Sequence, residues 1–316
     1  MKAAVVTSYS APPRYQDHVD PRATGEHELV VDVLAAGLHP RVRMQANGSH
    51  YTSSDEHLPL VPGIDGVGRG PDGTLWYFLT LGAAPGSMAE RALIDTRRSI
   101  PLPNGADPVT VAATLNCAIA SWLALSRRIT FHQGRNVMVM GATGGTGQMA
   151  VQVARLFGAD QVVAVGRDAG RLAAVPGATA TALLDDPEQI RRVGAEVDVV
   201  LDFLWGAPAT TTMAALVAGR ADPPGRALTW INLGEMAGHE TPVPAGLLRS
   251  SRLELIGSGQ GSLSTAEIAA DLPAVAAEIA RGTFAVPATV VPLHQVEQTW
   301  PLPADSSTRI VFTPDG

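Results

Sequence analysis

The stretch Asn136-Val137-Met138-Val139-Met140 runs directly into Gly141-Ala142-Thr143-Gly144-Gly145-Thr146-Gly147. A short apolar run ending at a glycine reads as a buried strand. Beyond the loop, Met149, Ala150, Val153, Leu156 and Phe157 recur at helical spacing and stop at Gly158. In a strand, glycine loop and helix of this order, the glycines let the backbone turn sharply. They also let a pyrophosphate approach the free amides at the helix N-terminus, where the helix dipole favours an anion. Gly141, Gly144, Gly145, Thr146 and Gly147 are the candidate phosphate-binding residues.

Reading outward from the loop, apolar strands alternate with Ala-rich helical stretches from about Pro108 onward. The strands fall at Asn136–Met140, Gln161–Val165, Thr181–Leu184, Val197–Asp202, Ala227–Leu233 and Leu253–Gly257. That alternation predicts a parallel sheet with crossover helices. Before it, short runs such as Leu29 to Ala35, Leu75 to Thr80 and Met88 to Ile94, separated by Gly, Pro and Asp turns, predict a β domain. Short strands return from about Val286, so the β domain is expected to be discontinuous. The expected division is 1–112 with 285–316, and 113–284.

The second strand of the dinucleotide unit ends in Val165-Gly166-Arg167, where an NAD-preferring site has an acidic residue for the ribose 2′-hydroxyl. A guanidinium suits a 2′-phosphate, and Arg171 lies one helical turn further on. Gly166, Arg167 and Arg171 therefore favour NADPH. The other reading makes the arginines a solvated helix face, with Asp168 as a cap or as the missing acid. Ligands gather beyond the carboxyl ends of strands in such sheets, which nominates Asp202-Phe203-Leu204, Asn232-Leu233-Gly234 and Ser258-Gly259-Gln260. Asp202 can equally be a capping residue, and Trp205 and Trp230 read as packing residues.

At 316 residues the chain is long enough for two domains. A net charge of -7 with scattered arginines argues against a nucleic-acid or anionic-membrane surface. Its single cysteine, Cys117, excludes an intrachain disulfide and a four-thiolate zinc site, and fits a reducing cytoplasm. Cys117 itself reads as a small buried hydrophobe. No run reaches the roughly 18 apolar residues of a membrane span, and the start of the chain turns polar at Thr7, so a soluble, unprocessed protein is expected.

With the loop placed, the whole chain resembles the medium-chain dehydrogenase/reductase superfamily and, within it, the zinc-independent quinone oxidoreductase-like branch. The residues that carry the resemblance begin with Met1-Lys2-Ala3 and Ala35-Ala36-Gly37-Leu38-His39-Pro40. They continue with Val61-Pro62-Gly63-Ile64-Asp65-Gly66-Val67-Gly68, Ala89-Glu90 and Ser121-Trp122-Leu123-Ala124-Leu125, in that order. The resemblance implies an α/β fold: a Rossmann doubly wound parallel sheet plus a discontinuous GroES-like β-barrel domain that carries substrate. It also implies a homodimer. The positions that hold catalytic zinc in other members fall on His39, Ile64 and Asn116, a set that cannot bind the metal. His39 alone could be a ligand, and a lone histidine is more often a hydrogen-bonded pocket or core residue.

Hydride transfer without a Lewis acid suits acceptors that spread charge by conjugation, which matches the branch's reduction of quinones and enones by NADPH. Tyr51 follows Gly48-Ser49-His50, where the branch often has a Gly-x-Tyr, and its phenol can donate to the substrate oxygen or pack on its loop. Asn116 is a polar amide on an Ala-rich helix and needs partners that a nicotinamide carboxamide or a substrate carbonyl would supply. At Ala120 the branch often has a Thr near the nicotinamide. Two alternatives remain open: a metal-free carbonyl reductase of a biosynthetic intermediate, with His39 as proton donor, and an NADPH-binding protein with little turnover.

Overall fold

The structure is a computed structural model that describes residues 1–50, 53–54, 58–80, 85–220, 225–302 and 307–314. The chain divides into two compact units, Met1–Asn116 with Thr265–Gly316, and Cys117–Ser264.

In the first unit, β1 (Lys2–Val5) pairs antiparallel with β2 (Arg14–Asp17). The organising strand is β3 (Glu28–Gly37), where Val31, Val33 and Ala35 are buried and Asp32 points outward, the alternation of a strand with one covered face. β3 is followed by α1 (Pro40–Ala46), β4 (Asp65–Arg69), β5 (Leu75–Leu79), β6 (Arg91–Asp95), β7 (Ile100–Pro101) and the long helix α2 (Pro108–Leu123). One edge of β3 pairs with β4, and the start of its other edge pairs with β6.

The second unit holds β8 (Val137–Met140), α3 (Gly145–Leu156), β9 (Val162–Gly166), α4 (Ala169–Ala173), β10 (Ala180–Leu183), α5 (Pro187–Val193), β11 (Val199–Asp202), α6 (Gly206–Ala218), β12 (Leu228–Asn232), α7 (Ala245–Arg249) and β13 (Leu253–Gly257). Its strands are parallel in the order β10-β9-β8-β11-β12-β13. Successive strands step outward from β8 on one side and then from β11 on the other. The sheet therefore reverses direction between β8 and β11, the doubly wound topology with its switch point. Met138, Met140, Val163, Val165, Val200 and Trp230 are fully buried, as expected for strands covered on both faces.

The chain then returns to the first unit through α8 (Thr265–Ala280), β14 (Ala288–Pro292), α9 (Val296–Thr299) and β15 (Arg309–Thr313). β15 pairs with the end of β3, Val311 with Gly37 and Phe312 with Ala36, and Phe312 packs with Ala36, Leu38 and Val42. That pairing makes the β unit discontinuous in sequence. The unit boundaries lie at 116/117 and 264/265, whereas the sequence division ran at 112/113 and 284/285. α8 packs on β7, and Thr114 Oγ1 accepts the Val286 amide at 3.0 Å, which ties both segments to the first unit.

Two expectations are corrected. The mixed sheet runs β14-β15-β3-β4-β5-β7 with β6 also on β3, and among the described residues this ladder does not close into a barrel. β6 and β15 share one edge of β3, which leaves β14 and β7 as the two ends of the path. Second, the stretch Pro108–Arg128 is long and apolar enough to cross a membrane, with a mean hydropathy of 1.6 over its best window. Thr110, Thr114, Asn116 and Ser121 interrupt the apolar run, yet its average stays high, and 67% of that window is buried, as in a core helix.

Candidate functional site

The strand register sets the nominated residues of the second unit in one row. Met140 is paired with Val165 on β9 and with Asp202 on β11, Asp202 with Asn232 on β12, and Asn232 with Gly257 on β13. The glycine loop leaves this row at the switch point. Gly141 has φ of +83°, a conformation L side chains rarely adopt, and a Cβ on Gly147 would stand 2.2 Å from the Gly141 carbonyl oxygen. Loop and helix can therefore approach only with glycine at both places.

Gly144 precedes α3 without a side-chain cap, and the first helical bond runs from Gln148 N to Gly144 O at 2.8 Å. Among the described residues the amides of Gly145, Thr146 and Gly147 have no backbone acceptor. These are the orphan donors that an anion can satisfy. The Thr146 hydroxyl lies 3.7 Å from the sulfur of buried Cys117.

Gly166 closes β9, and α4 starts with Asp168, whose Oδ1 accepts the Arg171 amide at 2.8 Å. Asp168 is thus the helix cap. Arg171 reaches back over the loop and donates from Nη2 to the Thr143 carbonyl at 3.1 Å, an oxygen that also accepts from Gln148 Nε2 at 3.2 Å. Arg167 is exposed and makes no hydrogen bond among the described residues.

Asp202 is fully buried at the end of β11. Its Oδ1 accepts the amides of Leu204 and Trp205 at 2.8 and 3.0 Å, and its Oδ2 accepts the Trp230 indole at 3.0 Å. Burial pushes its carboxyl above the ordinary aspartate range, against these bonds, which favour the charge. Asp202 is therefore a turn and packing residue. What it holds is unusual, because Trp205 has φ of +53° at the start of α6. Leu204 packs on the glycine loop, since a Cβ on Gly141 would meet its Cδ2 at 3.1 Å.

The next loops hang from the same edge. Leu233 and Gly234 donate to the Asp202 carbonyl at 2.7 and 3.2 Å, the Asn232 amide donates to Gly234 O at 2.8 Å, and Ser258 donates to Asn232 O at 2.9 Å. Gly259 donates to Ser262 Oγ at 2.8 Å, and Gln260 is exposed. Phe203, Leu204, Asn232, Leu233, Gly234, Ser258, Gly259 and Gln260 thus lie at the ends of adjacent strands or in the loops that leave them.

In the first unit, Pro40 at the first position of α1 fixes the helix start and leaves His39 extended before it. His39 is 3% exposed, and its Nε2 lies 2.7 Å from Asp65 Oδ1. Asp65 pairs with Leu79 in the β4–β5 ladder, which sets Tyr77, two residues away, on its face. The Tyr77 hydroxyl donates to Asp65 Oδ2 at 2.8 Å, and Ser87 Oγ donates to the Asp65 carbonyl at 2.5 Å. Desolvation holds the His39 pKa below its ordinary value; Asp65 opposes that shift and Arg309 reinforces it. Asn116 is half-buried on α2 and has no side-chain hydrogen bond among the described residues. Tyr51 lies outside the described residues. Among the described residues no three His, Cys, Asp or Glu side chains converge as a metal site.

Against known proteins, the chain is 30% identical to the probable NADPH-dependent quinone reductase tdiC of Emericella nidulans, over 99% of this chain and 100% of that protein. The chain belongs to the quinone oxidoreductase branch of the medium-chain dehydrogenase/reductase superfamily. The quinone oxidoreductase of Thermus thermophilus, solved also in complex with NADPH, superposes with a TM-score of 0.82 at 25% identity, covering 99% of this chain and 100% of that one. The 2-methylene-furan-3-one reductase of Solanum lycopersicum is 25% identical over 67% of this chain and 60% of its own length. No family model matches the chain.

Sequence reasoning about this quinone oxidoreductase-like chain passed over Asp65 and Tyr77. Asp65 sits inside the quoted run Val61–Gly68, and a carboxylate in a strand of small and apolar residues was the available signal. Nothing local marks Tyr77, which Asp65 reaches only across a ladder.

Proposed function

We propose that this chain is a zinc-independent, NADPH-dependent oxidoreductase that reduces a quinone or an α,β-unsaturated carbonyl. The observation that carries the reading is the glycine loop at the switch point: among the described residues three amides at the start of α3 have no backbone acceptor, on a chain aligned end to end with a quinone reductase. NADPH bound there supplies the hydride.

The chain's own residues bind and orient. Gly144, Gly145 and Thr146 hold the pyrophosphate, while Arg167 and Arg171 contact the 2′-phosphate. Gly141 and Gly147 permit the close approach, and Gly166 leaves room beside the adenosine ribose. Phe203, Leu204, Asn232, Leu233, Gly234, Ser258, Gly259 and Gln260 line the nicotinamide half. Asn116 and Tyr51 orient the acceptor oxygen, and water or Tyr51 delivers the proton that balances the hydride. The acceptor is a small-molecule electrophile, and the protein acts as a cytoplasmic homodimer.

The carbonyl-reductase alternative needs a proton donor at His39. A neutral imidazole whose N–H is turned toward Asp65 presents an acceptor on its other nitrogen, which weighs against that role. The test is NADPH oxidation against a panel of a benzoquinone, an enone and a saturated ketone. Consumption with the quinone or the enone and none with the ketone is expected. Ketone-only turnover would establish the alternative, and tight NADPH binding without turnover a binding protein.

A further inference from the structure

The long helix α2 does not stop at Leu123. It runs on as a π turn over Ala124–Arg128 and gives way to extended backbone at Ile129. Such turns are rare and recur at functional sites, and the extra residue moves the last side chain of the helix off its α-helical phase. That side chain is Arg128, which is half-buried. Its Nε donates to the Gly257 carbonyl at 2.8 Å and its Nη1 to the Ser262 carbonyl at 3.3 Å. A cation near a helix C-terminus is favourable without any such aim. Here two donors of the guanidinium are spent on carbonyls 129 and 134 residues further along the chain.

Between those carbonyls runs the loop Ser258-Gly259-Gln260-Gly261, which leaves the end of β13. Packing does little to fix its glycines. A Cβ on Gly257, Gly259 or Gly261 would meet no atom within 4 Å among the described residues, and Gly261 has φ of +103°. Glycine backbone loses the most entropy on being held in one conformation. Hydrogen bonds do the holding: the Ser258 amide donates to Asn232 O at 2.9 Å and the Gly259 amide to Ser262 Oγ at 2.8 Å, inside the span that Arg128 closes. Helix end, strand end and loop all belong to the second unit.

We infer that Arg128 is a positioning residue for hydride transfer: by tying the two ends of the 258–261 loop together, it fixes the wall against which the nicotinamide half of the cofactor lies. The inference rests on the proposed placement of that half beside Ser258, Gly259 and Gln260. Arg128 acts through two backbone carbonyls and carries no step of the reaction itself. A loop free to shift leaves the hydride-bearing carbon at varying distances from the acceptor, and a misplacement of about 1 Å can cost about a hundredfold in rate.

The test compares wild type, Arg128→Ala and Arg128→Lys. NADPH oxidation is followed with whichever of the benzoquinone and the enone the wild type consumes. Calorimetry measures binding of NADP+ and of 2′,5′-ADP, which has the 2′-phosphate but no nicotinamide. In Arg128→Ala, kcat is expected to fall about ten- to hundredfold and NADP+ to bind more weakly, while 2′,5′-ADP binds as in the wild type. Arg128→Lys keeps the charge and can serve one carbonyl, so it should regain part of kcat. A residue that served only the fold would lower Tm and weaken both ligands together. That equal weakening, or a kcat at the wild-type level in a folded Arg128→Ala, would overturn the inference and leave the proposed function standing. Should Arg128→Ala not fold, Arg128→Lys decides: kcat below the wild type with 2′,5′-ADP binding intact supports the inference, and an unchanged kcat overturns it. A wild type that binds no NADP+ or oxidises no NADPH would overturn both.

Discussion

The Arg171 guanidinium donates to the Thr143 carbonyl at 3.1 Å, so the helix after β9 is fastened to the glycine loop after β8. A residue nominated for the 2′-phosphate thereby also supports the pyrophosphate loop. Arg171→Ala should weaken NADH through the loop, and NADPH by more, because the contact proposed with its 2′-phosphate is lost as well. A charged hydrogen bond contributes about 1.5–3 kcal/mol, which corresponds to a roughly ten- to hundredfold rise in Kd. Calorimetric titration of both cofactors checks it; unchanged NADH binding would show that the link to Thr143 is idle.

Gly147→Ala sets a methyl group 2.2 Å from the Gly141 carbonyl oxygen. The loop and α3 must separate, which moves the free amides off the anion position. Loss of measurable NADPH binding is expected, together with a lower Tm. Retention of wild-type affinity would place the pyrophosphate elsewhere.

Asp202→Ala removes the acceptor for the Leu204 and Trp205 amides and for the Trp230 indole. Leaving buried donors unmatched costs about 1–3 kcal/mol each, so a loss on the order of 3 kcal/mol is expected in urea denaturation. With its turn released, Trp205 should also abandon its positive φ, and cofactor binding should weaken.

Protonation of His39 is opposed by burial, so its folded pKa lies below the ordinary value of 6.5. Above about pH 6.5 the ring is neutral in both states and contributes no pH dependence. Below it the unfolded chain binds a proton that the native state does not, so stability falls by up to about 1.4 kcal/mol per pH unit until the folded pKa is passed. His39→Asn should flatten the stability curve in that window. An equal slope in wild type and variant would show that His39 titrates freely.

The doubly wound unit was legible because its information is local. Every strand read from Asn136–Met140 to Leu253–Gly257 was found within a few residues of its expected ends, since apolar runs between glycines and Ala-rich helices leave little choice of register. The β unit was legible only as texture. The pairing of β15 with Gly37 and Ala36 joins residues at opposite ends of the chain, and no local pattern announces it. The same holds for the site: the glycine loop is written in adjacent residues, whereas His39, Asp65 and Tyr77 meet only across a strand end and a ladder. Asp168 and Asp202 each had a capping reading beside the functional one, and both carboxylates accept backbone amides a few residues on.

The central claim is that the glycine loop and the arginines after β9 form an NADPH site serving a conjugated acceptor. The most direct measurement is kcat/KM for NADPH and for NADH with one accepted quinone or enone, in wild type and in Arg167→Ala. A wild-type preference for NADPH of about tenfold or more, from one charged hydrogen bond, is expected, and its loss in the variant with NADH nearly unaffected. Equal use of both cofactors by the wild type, or the same fall for both in the variant, would contradict it.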